Sequence, residues 1–463
     1  MVQRRVRLSS SFRSLPVDYR LTATTANPRR PFRTPRRPGC SSLEGAFQES
    51  GPLWTEAGGA TLQKNEYSWN LFSTNIFIEA PAGVGFSYAD APSGTHHNDT
   101  STAADNLAAF EVFFAAYPEY STQDFWITGE SYAGIYIPSL AYDIVTSGSK
   151  INLKGILVGN GCLGNAVGVC GSSPYGTYLS LAQYHGHGFI SDKAMDAANA
   201  ACGDWSSMSP ACNNAARAAE REVGPHDVYD LYAGMYGECA YGARKGLKPV
   251  PRTRAPSSRP IAEDSMLARM IERHGLGNTC TDDNDLTTYL GTPAVVAALH
   301  VGAKGSAWQE CGGISYNSDI ADERTKIYPT LMAAKLNIVI YNGEADACVP
   351  ITDNQVSSFG RAAPSRQRAA HCSQLSSSPL FLFLWQWWTD SLNLTTIAPW
   401  TAWAAADGTT GGYITTYQAP GSFAFVTIRG AGHMVPQVQP IYAMEFAKAA
   451  ITGTGFFARA QEL

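Results

Sequence analysis

No stretch of this chain approaches the roughly 18 consecutive apolar residues that a membrane-spanning helix needs. The longest candidate, Leu380 to Trp388, is broken by Gln386 and stops after nine residues. A chain without a span is expected to be soluble, or peripherally attached at most. Charge is sparse as well: 16% of the 463 residues are charged against 44% hydrophobic, the balance of a globular protein with a large core. There is no C-x-x-C pair and no glycine-rich phosphate loop, so no metal and no cofactor is implied. The N-terminus lacks the apolar run of about 7–15 residues that marks a secretory signal.

What is present is unevenly distributed. Residues 1–38 hold ten arginines, one aspartate and no lysine, a net of +9, whereas the whole chain carries −5, which leaves −14 for the remainder. The first segment is Arg- and Ser-rich and acid-poor, closer in composition to an organellar transit peptide than to a secretory signal. An acidic body argues against a nucleic-acid partner and suits acidic surroundings. Ten cysteines without metal-site spacing point to disulfides in an oxidising compartment. Sequons at Asn98-Asp99-Thr100 and Asn393-Leu394-Thr395 are glycosylation candidates that agree with this.

The chemistry gathers at three places. Asp124-Phe125-Trp126-Ile127-Thr128 reads as a strand, and Gly129-Glu130-Ser131-Tyr132-Ala133-Gly134 follows it. A serine between small residues at a strand-to-helix turn is a nucleophile elbow, which leaves the hydroxyl standing clear of the sheet. The second flanking position is Ala133, with Gly134 one place later, so the common form is not fully matched. Leu336 to Tyr341 reads as a buried strand, followed by the acid-bearing turn Asn342-Gly343-Glu344-Ala345-Asp346. Phe423 to Ile428 is another, followed by Arg429-Gly430-Ala431-Gly432-His433. Serine, acid and histidine thus come in the order of an α/β-hydrolase triad, each behind its own strand. Asp346 and Glu344 are both placed to serve as the acid.

The elbow block, Tyr341 to Asp346, and Gly430-Ala431-Gly432-His433-Met434-Val435-Pro436 together resemble the signature blocks of the serine carboxypeptidases. Pro38-Gly39-Cys40-Ser41-Ser42-Leu43, Glu79 to Tyr88, and Asp105-Asn106-Leu107 extend the resemblance from about Pro38 to the C-terminus. It implies an α/β fold of the α/β-hydrolase type: a central, mostly parallel sheet flanked by helices, with an inserted, mainly helical cap. The core is expected at 38–165 and 324–463, with the cap region at 166–323. Lys245 to Pro260 reads as an exposed loop. Two segments are atypical of the family. Residues 1–37 stand where it has about two strands and the run W-x-N-G-G, so an unpaired sheet edge is expected there. The second is an insertion at 361–386, basic and Ser-rich, then Leu380-Phe381-Leu382-Phe383-Leu384-Trp385.

The resemblance assigns roles. Ser131 is the nucleophile, His433 the general base and acid, and Asp346, preferred over Glu344, the residue that orients the imidazole. Tyr132 supplies one oxyanion N–H. The second falls on Arg37, where the family has glycine. Glu49 and Glu130 match a pair that shares a proton and binds a substrate carboxylate, a device suited to acidic pH. The family's asparagine at that site is replaced by Pro35. The family pattern suggests the disulfides Cys40–Cys311, Cys202–Cys212 and Cys239–Cys280, with Cys162 and Cys170 as candidates for a further pair. Cys348 falls near the pocket for the residue before the scissile bond. The implied substrates are peptide C-termini, in a vacuole, lysosome or extracellular setting, with oligomeric state left open. A same-fold acyltransferase, or a member impaired by the missing N-G-G, also fits the resemblance.

Overall fold

The computed structural model describes residues 17–23, 39–232, 283–355 and 392–457, apart from 57, 91, 172–173, 225, 302–306, 312–313, 393 and 456. Twelve strands are assigned among them: β1 Val17–Ala23, β2 Leu53–Thr55, β3 Leu62–Lys64, β4 Thr74–Phe77, β5 His96–Asn98, β6 Phe125–Ser131, β7 Leu153–Gly159, β8 Ser315–Asn317, β9 Asn337–Gly343, β10 Thr396–Ala404, β11 Thr410–Gln418 and β12 Ser422–Ile428. Eight of these form one sheet in the order β10-β11-β12-β9-β7-β6-β1-β4. The run from β12 to β4 is parallel, while β10, β11 and β12 pair antiparallel.

The sequence of the central strands explains why the sheet is buried on both faces. Ile127, Ile156, Val158, Ile338, Ile340, Phe423 and Phe425 enter one hydrophobic cluster, with helices α1 (Asp99–Ala116) and α2 (Ala133–Thr146) packed over it. The alternate residues Trp126, Leu157, Val339, Tyr341, Ala424, Val426 and Ile428 enter a second cluster, closed by the C-terminal helix Pro440–Thr452. Period-two alternation therefore selects the face rather than polarity, as parallel strands covered by helices require. Each Val, Leu, Ile or Phe among them contributes about 1.5–3 kcal/mol by leaving water.

β7 and β9 are neighbours in the sheet although a long segment separates them in sequence. That segment holds α3 Pro174–Gly186, α4 Asp192–Cys202 and α5 Pro210–Val223, then the helices Asp283–Leu290 and Pro293–Ala298. Apolar side chains of α3 to α5 and Leu231 form a third cluster with Ala345 and Ala347, so this part of the helical insertion rests on the loop that follows β9. Cys40–Cys311, Cys162–Cys170 and Cys202–Cys212 are bonded. Cys239, Cys280, Asn393, the Lys245–Pro260 loop and the 361–386 insertion lie outside the described residues.

One sequence expectation is corrected. Residues 1–37 were expected to leave the sheet short of strands, yet Val17–Ala23 pairs in parallel with both β4 and β6. Val17, Tyr19 and Leu21 alternate with Asp18, Arg20 and Thr22, which is the period of a strand despite the basic composition around it. The register sets Thr22 opposite Glu130 and Ala23 opposite Ser131. No described helix is long and apolar enough to cross a membrane.

Candidate active site

Four adjacent parallel strands, β6, β7, β9 and β12, end at one edge, and each delivers a polar residue there. Ser131 closes β6, Asn160 follows β7, Asp346 follows β9 and His433 follows β12. Carboxyl ends of parallel strands are where α/β sheets place their sites, because backbone groups beyond the last ladder bond are free to turn.

Ser131 has φ of 63°, left-handed backbone that non-glycine residues rarely adopt. Such strain persists only where the surroundings over-determine it. Here the Ser131 carbonyl accepts from Cys162 N–H at 2.9 Å, and α2 begins at once. Gly134 explains the shifted small residue of the motif. A Cβ at position 134 would lie 2.3 Å from the Cys162 oxygen and 2.5 Å from its nitrogen, whereas Ala133 is accommodated and fully buried.

His433 and Asp346 are both fully buried, with Nδ1 to Oδ2 at 2.7 Å. Since an ionised carboxylate only accepts, Nδ1 carries the proton and Nε2 is left as the basic nitrogen. Nε2 has no hydrogen-bond partner among the described residues, so Ser131 and His433 are not hydrogen-bonded to each other in this structure. Catalytic contacts of this kind often tighten only when substrate is present.

Asp346 accepts three further bonds: Cys348 N–H at 2.6 Å on Oδ1, and Asn160 Nδ2 at 2.8 Å and Val349 N–H at 3.0 Å on Oδ2. Glu344 does something else. Its Oε1 accepts from Gly430 N–H at 2.9 Å and so ties the β9 loop to the β12 loop without touching the imidazole. Cys348 is buried and outside the three described disulfides, and its backbone N–H bonds Asp346.

Sequence reasoning passed over Asn160 and the insertion's part in the site. Asn160 also accepts from Gly343 N–H at 3.0 Å, bridging β7 to the acid loop. Its signal was available: a polar residue directly beyond a buried strand, at the sheet edge where the strands of the acid and the histidine also end. From α3, Gln183 Nε2 donates to the carbonyls of Glu344 and Asp346. The segment Val228–Leu231 clasps both loops: Ala347 N–H donates to Val228 O, Leu231 N–H to Ala345 O, and His433 N–H to Tyr229 O at 2.7 Å. Tyr229 also lays its ring 5.1 Å from the imidazole. No local pattern marks a segment that acts through its backbone groups.

Glu49 and Glu130 are each 1% exposed. Glu130 precedes Ser131 in β6, and Glu49 ends a single π-helical turn, Gly45–Glu49, that packs against the short helix Val435–Val438 beyond His433. Trp54 Nε1 and Asn65 Nδ2 hold the Glu49 carbonyl at 2.7 and 3.0 Å. Asn98, one of the two sequon asparagines, caps α1: its Oδ1 accepts from Ser101 N–H at 2.6 Å.

The fold and site define an α/β-hydrolase with a serine, histidine and aspartate at one sheet edge. The chain belongs to the serine carboxypeptidase family, whose model matches residues 38–368 and 382–453. It is 33% identical over 431 residues to serine carboxypeptidase-like 29 of Arabidopsis thaliana, covering 90% of this chain and 77% of that relative. It is 32% identical over 420 residues to the lysosomal protective protein of Mus musculus, covering 87% and 80%. The crystal structure of a prohormone-processing carboxypeptidase from Saccharomyces cerevisiae superposes with a TM-score of 0.58 at 18% identity, over 96% of this chain and 83% of that one, and shares the fold. The family match begins at residue 38 and is interrupted between 368 and 382, inside the segment that reads as an insertion.

Proposed function

We propose that the chain is a serine-type carboxypeptidase that releases C-terminal residues from peptides through an acyl-enzyme and works best in acid. The observation that carries the reading is the buried His433–Asp346 pair, whose Nε2 has no hydrogen-bond partner among the described residues, at the same sheet edge as a left-handed serine. In this reading Ser131 attacks the scissile carbonyl and His433 Nε2 takes its proton, then delivers it to the leaving amine. The N–H of Tyr132 meets the oxyanion. Water enters next and releases the acyl group by the same steps. Glu49 and Glu130 receive the substrate's terminal carboxylate by sharing a proton, since two charged carboxylates would repel it.

Burial of carboxyl groups elsewhere supports the acidic setting. Burial pushes up the carboxyls of Glu79, Asp99 and Glu323, and raises Asp230 to about 7. A raised carboxyl contributes stability that is present below its ordinary value and lost as pH climbs through the folded one. Asp204 and Glu222 are shifted down but fully exposed, where solvent screens their effect. Three disulfides and the lysosomal relative support a vacuolar, lysosomal or secreted location.

The test compares blocked dipeptide acids with their amides from about pH 4 to about pH 8, across the range where carboxyl groups titrate. The unmodified chain is expected to prefer the acid substrate by at least about 10-fold, a share of the 1.5–3 kcal/mol of a charged hydrogen bond. Glu49→Gln with Glu130→Gln is expected to erase that preference and flatten the acidic optimum. An unchanged acid-to-amide ratio in the double variant would remove the pair from substrate recognition.

A second reading, an impaired family member, is favoured by one observation: the family match starts only at residue 38, and Pro35-Arg36-Arg37 stand in place of N-G-G. The triple substitution Pro35→Asn, Arg36→Gly and Arg37→Gly is expected to raise kcat/KM about 10²-fold, the usual worth of one oxyanion donor. Equal values for the two chains would show that the native segment needs no repair.

A further inference from the structure

Asp99, the first residue of α1, is fully buried and accepts five hydrogen bonds. Oδ1 receives the hydroxyls of Tyr132 at 2.8 Å and Tyr316 at 3.0 Å. Oδ2 receives Asn165 Nδ2 at 2.9 Å and the backbone N–H groups of Asp319 and Ile320 at 2.8 Å each. A carboxylate taken out of water this completely is costly unless its lone pairs are filled, and here they are. Nothing in the chemistry assigned above uses this group.

One of its five donors is the residue directly after the nucleophile. The Tyr132 hydroxyl also meets Ser318 Oγ at 2.8 Å and Asn165 Oδ1 at 3.0 Å. Its ring is held edge-on by Tyr136 at 5.1 Å and Tyr316 at 5.9 Å. Burial and the neighbouring Asp99 charge push the phenol well above its ordinary range, so it remains a donor. The tether thus acts one residue beyond Ser131, whose left-handed backbone needs something to hold it. An oxyanion donor is useful only when aimed in advance at the place where charge develops.

We propose that Asp99 is a positioning residue: through the Tyr132 hydroxyl it fixes the Ser131–Tyr132 peptide so that the Tyr132 N–H points at the oxyanion. The inference rests on the reading of that N–H as an oxyanion donor and of Ser131 as the nucleophile. Asp99 touches no substrate. Removing the tether lets the strained peptide relax and turns the N–H away, which slows the chemical step and leaves substrate affinity alone.

The experiment is a double-mutant cycle with Asp99→Asn and Tyr132→Phe, reading kcat, KM and the rate of covalent labelling by a fluorophosphonate. Tyr132→Phe keeps every backbone bond to Asp99, so it reports on the tether even if Asp99→Asn folds poorly. It is expected to lower kcat and the labelling rate together, by about 10- to 100-fold, short of complete loss of the donor. KM should stay within about 3-fold, as for an interaction made only in the transition state. The double variant should be no slower than the slower single one. A Tyr132→Phe chain labelled and turning over at the unmodified rate overturns the proposal alone. An unmodified chain that is neither labelled nor active overturns the proposal together with the reading beneath it.

Discussion

Ser131→Ala is expected to abolish fluorophosphonate labelling and lower kcat by about 10⁶-fold, the cost of removing the nucleophile from a triad that works as a unit. The expectation comes from geometry rather than from the motif alone. Ser131 has left-handed backbone at the junction of β6 and α2, its carbonyl is bonded to Cys162 N–H, and it lies at the edge where His433 Nε2 has no partner among the described residues. Alanine fills the same space less one oxygen, so the fold should be kept, with an unfolding midpoint close to that of the unmodified chain. Mass spectrometry of the labelled, digested protein identifies the modified residue. Persistent labelling of Ser131→Ala on another serine would assign the nucleophile elsewhere.

The core strands and the order of the triad were legible because burial on both faces forces continuous apolar runs, and sharp turns force small residues. Leu336 to Tyr341 and Phe423 to Ile428 read as strands from composition alone; the first overlaps β9 from Asn337 onward and the second lies within β12. The choice between Glu344 and Asp346 was not settled by local pattern. Two residues of sequence separate them, but the turn aims one at the histidine and the other at Gly430 N–H. Asp99 and the Val228–Leu231 clasp were invisible for a different reason. Each acts across long sequence separations through hydrogen bonds to backbone or to buried side chains, and no periodicity encodes such a partner. Strand β1 was missed because ten arginines in its neighbourhood outweighed a seven-residue alternation.

Asp346→Asn is expected to lower kcat by about 10⁴-fold while Glu344→Gln lowers it by less than about 10-fold, the contrast that separates an orienting acid from a loop brace. The four donors around Asp346 explain the size of the first effect. Three of them, from His433, Asn160 and Val349, converge on Oδ2, and Cys348 N–H alone meets Oδ1. An asparagine has one acceptor oxygen. With that oxygen toward the histidine, its NH₂ faces the Cys348 N–H, donor against donor at a contact now 2.6 Å long. With the amide flipped, the NH₂ confronts three donors and drives the imidazole to the tautomer whose Nε2 is protonated and cannot accept from serine. Either way the imidazolium that forms during attack has lost its counter-charge in a site closed to water, where such a charge is worth most. Glu344 sits outside this set, and a glutamine there still offers an oxygen to Gly430 N–H. Measured kcat values for the two variants on one blocked dipeptide decide the matter. A Glu344→Gln loss equal to that of Asp346→Asn would mean that the brace between the two loops, and not the charge on Asp346, limits the reaction.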